Sequence, residues 1–347
     1  MHDARAFRAR VDRVLHEHAR EETAQLVAVS EQLKPVADQL TTAVAEGKRL
    51  RAAFCYWGWR AAGQPDSDAV VRAAAAMELV HAAAVVHDDL IDESATRRGA
   101  PTAHIALRTA IGEPGRREAG GRALALMVGD LLLSWAGQLF TSCGLPGAYL
   151  ARARPLWAVL ARELVAGECL EILGTGAAAR AERSLEIIRF KTAKYTVEHP
   201  LQIGGALGGA PARTLAAFSA YGLPLGEAFQ LRDDLLGVFG DPAVTGKSDL
   251  DDLRGHKPTV LVAIALAGAG ETDRKELTAL LGRPDLDAAD LRTARGVIER
   301  SGARRRVESM IEERASAART AIARAQLPPD AAQALGGLVS ALVARDA

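Results

Sequence analysis

Between Val70 and Asp92 the 347-residue chain runs for about six helical turns with few polar side chains. Val70, Ala73, Met77, Val80, Ala84, Asp88 and Ile91 fall on one face at helical spacing. The stretch Val80 to Val86 is apolar on nearly all sides, so this helix belongs at the centre of a bundle, with other helices around it. The rest of the chain agrees. Aromatic residues are only 4%, and Ala, Leu, Glu and Arg abound, the set that favours helices over strands. There is no convincing alternating pattern and no Asn-Gly or Asp-Gly hairpin signal, so the expected fold class is all-α.

Breaks are expected where Gly, Pro and polar residues cluster: 63–68, 99–102, 111–121, 142–147, 174–181, 204–211, 240–258, 268–272, 282–287 and 327–330. They divide the chain into about ten or more helices. No break is a long Ser/Gly/Pro linker and no short-period repeat is visible, so a single domain over residues 1–347 is expected.

Lys+Arg 43 against Asp+Glu 43 leaves no net charge, which argues against a general nucleic-acid or anionic-membrane binder. Residues 1–14 are charged throughout, unlike a secretory signal. No run of about 18 uninterrupted apolar residues suggests a membrane span, and a cytoplasmic protein is expected. Cys55, Cys143 and Cys169 are odd in number and widely spaced, which reads as buried thiols.

The central helix ends in His87-Asp88-Asp89-Leu90-Ile91-Asp92-Glu93. Helical spacing stacks Asp88 and Asp92 one turn apart. Like charges repel there, and negative charge at a helix C-terminus opposes the macrodipole, so a cation relieves both costs. A hard ion that also binds phosphate, Mg²⁺, suits such a pair. Alone, the pattern also fits a solvated acidic turn. A second apolar run meets adjacent aspartates at Phe229-Gln230-Leu231-Arg232-Asp233-Asp234. Two such patches facing each other would hold several Mg²⁺ ions around a polyanion. Lys48 and Arg51, expected on one helix face, together with Arg97-Arg98, Lys191, Lys247 and Lys257, supply cations for its oxygens.

From Gly47 to Thr259 these motifs resemble the trans-isoprenyl diphosphate synthases, the polyprenyl synthetase family, and keep that family's order. They are Gly47-Lys48-Arg49-Leu50-Arg51, the first aspartate-rich motif with Arg97-Arg98-Gly99, Gly129-Asp130, Lys191-Thr192-Ala193, Phe229-Gln230 with Asp233-Asp234, Gly246-Lys247, and Lys257 with Thr259. The resemblance implies an isoprenoid-synthase-type helical bundle with a central cavity. The first 40 residues would be a helical segment packed on that bundle. It also implies a homodimer and a Mg²⁺-dependent enzyme, with three ions once substrate is bound.

The resemblance further implies roles. Asp88 and Asp92 would ligate Mg²⁺ on the allylic diphosphate, and Asp233, helped by Asp234, a further ion. Lys48, Arg51, His81 and Arg98 would hold isopentenyl diphosphate. Arg97, Lys191, Lys247 and Lys257 would hold the allylic diphosphate, with Thr192 and Gln230 beside its reacting carbon. The sequence departs from the family pattern at Gly237, where a third aspartate is usual, and at His256, where a glycine is usual. The segment Gly167-Glu168-Cys169-Leu170-Glu171 only weakly matches the usual Gly-Gln-x-x-Asp. Asp241 could assist at the second motif, and residues 240–258 are the expected lid.

Product length is expected to depend on the first acidic helix. Ala84 lies ~6 Å, Val80 ~12 Å and Met77 ~16 Å below Asp88 at the helical rise. The aromatic plug that shortens products in the family is absent, since Ala83 and Ala84 stand at those positions. Val80 and Met77 are the next candidates for a floor, and a floor near Met77 admits about four isoprene units and points to geranylgeranyl diphosphate, with farnesyl or longer products as alternatives. A class I terpene cyclase leaves Lys48, Arg51 and Arg97-Arg98 unexplained. A di-iron bundle needs a second motif like Glu78-Leu79-Val80-His81 on another helix, and none is found. A non-catalytic subunit of a heteromeric synthase is kept in view only by Gly237.

Overall fold

A computed structural model of the protein describes residues 4–241 and 249–343. These residues are almost entirely helical and divide into two compact units. The first holds residues 4–153 and 203–210, and the second holds 154–202 and the described residues from 211 on.

The first unit contains α1 (Ala4–Val29), α2 (Lys34–Ala45), α3 (Leu50–Ala61), α4 (Asp68–Ile91), the single turn α5 (Ala103–Ala106), α6 (Arg117–Thr141) and the start of α7 (Gly147–Gly174). Helix α4 is its core. Ser67 caps the first turn, its hydroxyl accepting from Ala69 N–H. Arg10 of α1 ties down the same end through Asp66 at 2.9 Å and Asp68 at 2.7 Å. Val70, Ala73, Met77 and Val80 are buried, packed among α1, α3 and α6. Each such burial contributes roughly 1.5–3 kcal/mol for a Val- or Met-sized side chain. Along the same face Ala84 and Asp88 are half-buried and Ile91 is exposed, so α4 emerges toward solvent where it turns acidic.

Two helical segments, Asp68–Ile91 and Pro114–Thr141, have the length and hydropathy of a membrane span. The apolar window of the first is 72% buried inside the protein, as its role as core helix requires.

In the second unit, α8 (Ala181–Ile187) passes without a break into π-helix over Ile188–Glu198 and then into the start of α9 (His199–Gly208), whose residues from 203 on belong to the first unit. Pro200 has no N–H to donate to the Thr196 carbonyl, so an α-register loses a rung here. The long α10 (Ala212–Phe239) packs on the π-helical stretch and on the helix Ala303–Arg324, burying Phe218, Leu225, Leu231 and Leu235 with Val307 and Ile311. Buried Glu227 of α10 is held by Arg189 at 3.0 Å and Arg314 at 2.8 Å. Helices Asp251–Arg254, Val260–Gly268, Glu271–Leu280, Ala288–Arg300 and Pro329–Val343 complete the unit.

Among the described residues the expected breaks recur, except that 240–258, of which 242–248 lie outside the described residues, contains the helix Asp251–Arg254; breaks near Ser30, over 46–49 and at Ser301-Gly302 are added. Thr96–Arg97 also pairs antiparallel with Ala100–Pro101, a hairpin not expected from the sequence. Its central residues, Arg98 and Gly99, both have positive φ, as a type I′ turn requires. Cys55 and Cys143 are buried as expected, but Cys169 is exposed on α7, where the alternation of helix faces turns it outward.

Candidate active site

The acidic end of α4 is closed by a left-handed residue. Glu93 has φ 53°, and Ser94 N–H reaches back to the Asp89 carbonyl at 3.0 Å, the long bond of a Schellman-type ending. Asp92 N–H still bonds the Asp88 carbonyl at 2.8 Å, so Asp88 and Asp92 keep the one-turn stacking that their spacing predicts. The three aspartates divide in two. Asp89 is buried and takes a bidentate contact from Arg97 Nε, at 2.7 and 2.9 Å. Asp88 and Asp92 stay half-exposed, with Arg97 at 3.4 Å from Asp88. Arg97 thus meets part of the helix-end charge itself.

His87 lies across α6, its Nε2 3.3 Å from the Leu126 carbonyl and 3.8 Å from Asp130. A Cβ at Gly129 would stand 2.0 Å from that nitrogen, so Gly129-Asp130 is what lets α4 seat here.

The basic residues gather behind this end. Arg98 donates to the Glu46 carbonyl at 3.0 Å, which fastens the hairpin to the loop before α3. That loop folds around Arg49, which is buried, left-handed at φ 54°, paired with Asp12 at 2.6 Å and bonded to the Val44 carbonyl at 2.7 Å. Lys48 therefore precedes the helix and is exposed, whereas Arg51 lies inside α3 and is buried. The sequence expectation that both share a helix face is corrected on this point, because the left-handed Arg49 starts the helix after Lys48. Glu78 of α4 accepts from Ala52 N–H at 2.9 Å and so caps α3. That accounts for the glutamate of Glu78-Leu79-Val80-His81 without a metal. Burial, followed by the charges of Arg51, Arg98, Arg97 and Arg49, pushes the His81 imidazole well below its ordinary value of 6.5.

The second cluster is built in the other unit. Glycines bring its helices close. A Cβ on Gly167 of α7 would lie 2.3 Å from Lys191 N, and one on Gly226 of α10 2.3 Å from Ala193 Cα. Lys191 Nζ sits between Glu171 at 2.8 Å and Glu168 at 3.0 Å, and Lys257 lies 3.9 Å from Glu171. The weakly matching segment of α7 therefore supplies carboxylates to both lysines. Thr192 donates to Gln230 Oε1 at 2.9 Å, and Gln230 Nε2 donates to Asp234 at 2.9 Å. Asp233 is half-exposed and Asp234 is buried. Burial pushes the Asp234 carboxyl well above 3.8; the Gln230 bond opposes this, while Asp252, Asp233 and Glu171 add to it.

His256 has φ 48°. A left-handed position favours glycine, which explains why the family's pattern has one there. Lys247, with Gly246, lies outside the described residues, as does much of the expected lid. The sequence pattern assigns no site role to Arg49, Glu78, Glu168, Glu171 or Asp252. The acidic and glycine residues of 167–171 were a usable signal for two of them.

The carboxylates suit a hard divalent ion. Asp88 and Asp92 offer half-exposed oxygens on one helix face. Among the described residues no three His, Cys, Asp or Glu side chains converge as a metal cage. An ion held here would fill its shell with water or phosphate oxygens, the habit of Mg²⁺.

Helical architecture, paired acidic motifs and clustered cations together define a class, the isoprenoid synthases with an all-α fold. Residues 31–298 match the Polyprenyl synthetase family, and the chain belongs to it. It is 33% identical over 297 residues to a geranylgeranyl diphosphate synthase of Mycobacterium tuberculosis, covering 85% of this chain and 80% of that one. It is 31% identical over 305 residues to a (2E,6E)-farnesyl diphosphate synthase of the same species, covering 87% and 80%. A geranylgeranyl pyrophosphate synthase from Corynebacterium glutamicum, solved with isoprenyl diphosphate and magnesium, superposes with a TM-score of 0.95 at 32% identity, over 99% of this chain and 100% of that one. The protein is a prenyltransferase of the trans-prenyl diphosphate synthase family.

Proposed function

We propose that the protein is a cytoplasmic, Mg²⁺-dependent synthase that condenses isopentenyl diphosphate with an allylic diphosphate to make geranylgeranyl diphosphate. The two compact units are read as one synthase domain, since the family match runs through both. The observation that carries the reading is the grouping of Arg51, His81, Arg97 and Arg98 behind the half-exposed Asp88 and Asp92. It combines a site for one diphosphate with carboxylates for the metal on another.

Lys48, Arg51 and Arg98 bind and orient the diphosphate of isopentenyl diphosphate. His81 stays neutral at physiological pH among these cations, so it adds a hydrogen bond without further charge. Lys191 and Lys257, with Lys247, hold the allylic diphosphate. Asp88 and Asp92 would hold one Mg²⁺ ion and Asp233 a further one, and such ions would supply charge neutralisation as the C–O bond breaks. The electron pair leaves with diphosphate, and the double bond of isopentenyl diphosphate attacks the allylic carbon. Thr192 and Gln230, bonded to each other, present oxygen dipoles toward the cation. The departing diphosphate takes the proton whose loss re-forms a double bond.

Buried Met77 and Val80 support a tunnel floor along α4, below the small Ala83 and Ala84. Chromatography of products made by the purified chain with Mg²⁺, isopentenyl diphosphate and C5, C10 or C15 primers tests the activity. The expected product is C20, and no product from the chain alone contradicts the reading. Met77→Ala is expected to lengthen the product, and an unchanged product contradicts the floor. A homodimer is supported by the exposed Leu126, Met127 and Leu133 on one side of α6. Leu126→Glu with Leu133→Glu is expected to give monomers in sedimentation.

A further inference from the structure

The stretch Ile188–Glu198, which carries Lys191 and Thr192, is π-helical over eleven residues. A π-helix is rare beyond a single turn, so contacts outside its backbone must favour it. The missing N–H of Pro200 removes one α-type bond and no more.

Lys194 and His199 supply the rest. His199 N–H bonds the Lys194 carbonyl, five residues back, which is the bond of the π register. In that register two side chains five apart stand nearly one above the other, whereas an α-helix turns them about 140° apart. Both reach the same oxygen on α7: Glu163 Oε2 lies 2.9 Å from Lys194 Nζ and 2.7 Å from His199 Nε2. One carboxylate can hold the two together in the π register and not in the α register. His199 is buried, and Glu163 and Lys194 are half-buried. Burial raises the Glu163 carboxyl, but the bonds and charges of Lys194 and His199 outweigh it and hold the group below its ordinary 4.5.

The register decides what Lys191 and Thr192 face. Glu163, Gly167 and Glu171 follow one another at single-turn spacing along α7. Gly167 lets the backbone at Lys191 approach, and Glu171 and Glu168 take its ammonium. Thr192 faces α10 and bonds Gln230. A slip to α register would turn both residues relative to these partners.

We propose that Glu163 is a positioning residue of the synthase: by binding Lys194 and His199 together it selects the π register of Ile188–Glu198, and that register aims Lys191 and Thr192 at the allylic diphosphate. The inference rests on the function proposed above and adds to it a residue two helical turns from Glu171.

The test is calorimetric titration of the full chain with farnesyl thiolodiphosphate in Mg²⁺. Glu163→Gln is expected to weaken binding about 10-fold, the scale of a hydrogen bond to a charged group. The KM for isopentenyl diphosphate is expected to stay unchanged, because Lys48, Arg51, His81 and Arg98 lie in the other unit. In a Lys191→Ala background Glu163→Gln is expected to cost nothing further, since both changes act on one contact. A general loosening of the fold would instead weaken both substrates and add its cost in either background. Lys194→Met leaves the contact of Glu163 with His199 in place and is expected to weaken farnesyl thiolodiphosphate less, again without effect on isopentenyl diphosphate. Should Glu163→Gln fail to fold, Lys194→Met carries the same comparison. Unchanged affinity, equal losses for the two substrates, or an additive loss in the Lys191→Ala background overturns the inference. A parent chain that does not bind farnesyl thiolodiphosphate contradicts the proposed function itself, and the inference with it.

Discussion

The two acidic clusters share a pair of adjacent aspartates and solve the problem of negative charge differently. On α4 the pair sits in the last turn, where carboxylates oppose the helix dipole. An arginine answers that charge: Arg97 takes Asp89 and leaves Asp88 and Asp92 half-exposed. On α10 the pair lies more than a turn before the helix end at Phe239. There Asp234 is buried and held by Gln230, and its carboxyl is pushed toward the protonated form. The first cluster keeps two half-exposed carboxylates beside an arginine. The second is a hydrogen-bonded relay with the half-exposed Asp233 at its edge. Identical dipeptides thus acquire different chemistry from burial and from their partners.

The contrast breaks first on paired substitutions. Asp88→Asn is expected to lower kcat about 1,000-fold, the upper range for removing one electrostatic stabiliser. Asp234→Asn is expected to cost far less, because its carboxyl already favours the neutral form and Asn keeps the acceptor for Gln230. Steady-state kinetics decide, and equal losses contradict the distinction.

The same pair differs in stability. A carboxyl whose folded-state value is raised gives its full stability below 3.8 and loses it as pH rises through the folded value. Asp234→Asn is therefore expected to melt higher than the parent, by an amount that grows with pH above 3.8. A melting-temperature difference that is flat with pH contradicts this.

His81 gives the converse case in the first cluster. Its imidazole is held well below 6.5, so stability is present above 6.5 and falls as pH drops below it, where the unfolded chain takes up the proton. A titration of His81 by nuclear magnetic resonance is expected to show the neutral ring at pH 6, and an ordinary midpoint near 6.5 contradicts the packing of arginines around it. The smallest expected effect is His256→Gly. Removing a side chain from a left-handed position is expected to stabilise the fold by about 1 kcal/mol, read from urea midpoints.

Much of this was legible in the sequence. The helical period of 70–92 located the core helix, and the order of acidic and basic motifs named both clusters. What was not legible depends on backbone conformation and on contacts between segments distant in sequence. Spacing placed Lys48 on a helix that begins only after the left-handed Arg49. The departure at Glu168 and Glu171 looked like a weakened motif, yet both carboxylates reach Lys191 across a gap that Gly167 closes. At Gly237 the side chain of Asp252 stands where a Cβ would begin, a contact that spacing does not reveal. The π-helical stretch bearing Lys191 and Thr192 has no periodic signature in the sequence.

The central claim is that each acidic cluster holds a divalent ion. Anomalous diffraction from crystals grown with Mn²⁺ and an unreactive allylic thiolodiphosphate tests it most directly. The account predicts manganese peaks at Asp88 and Asp92 and at Asp233. Peaks at one cluster alone, or at neither, contradict it.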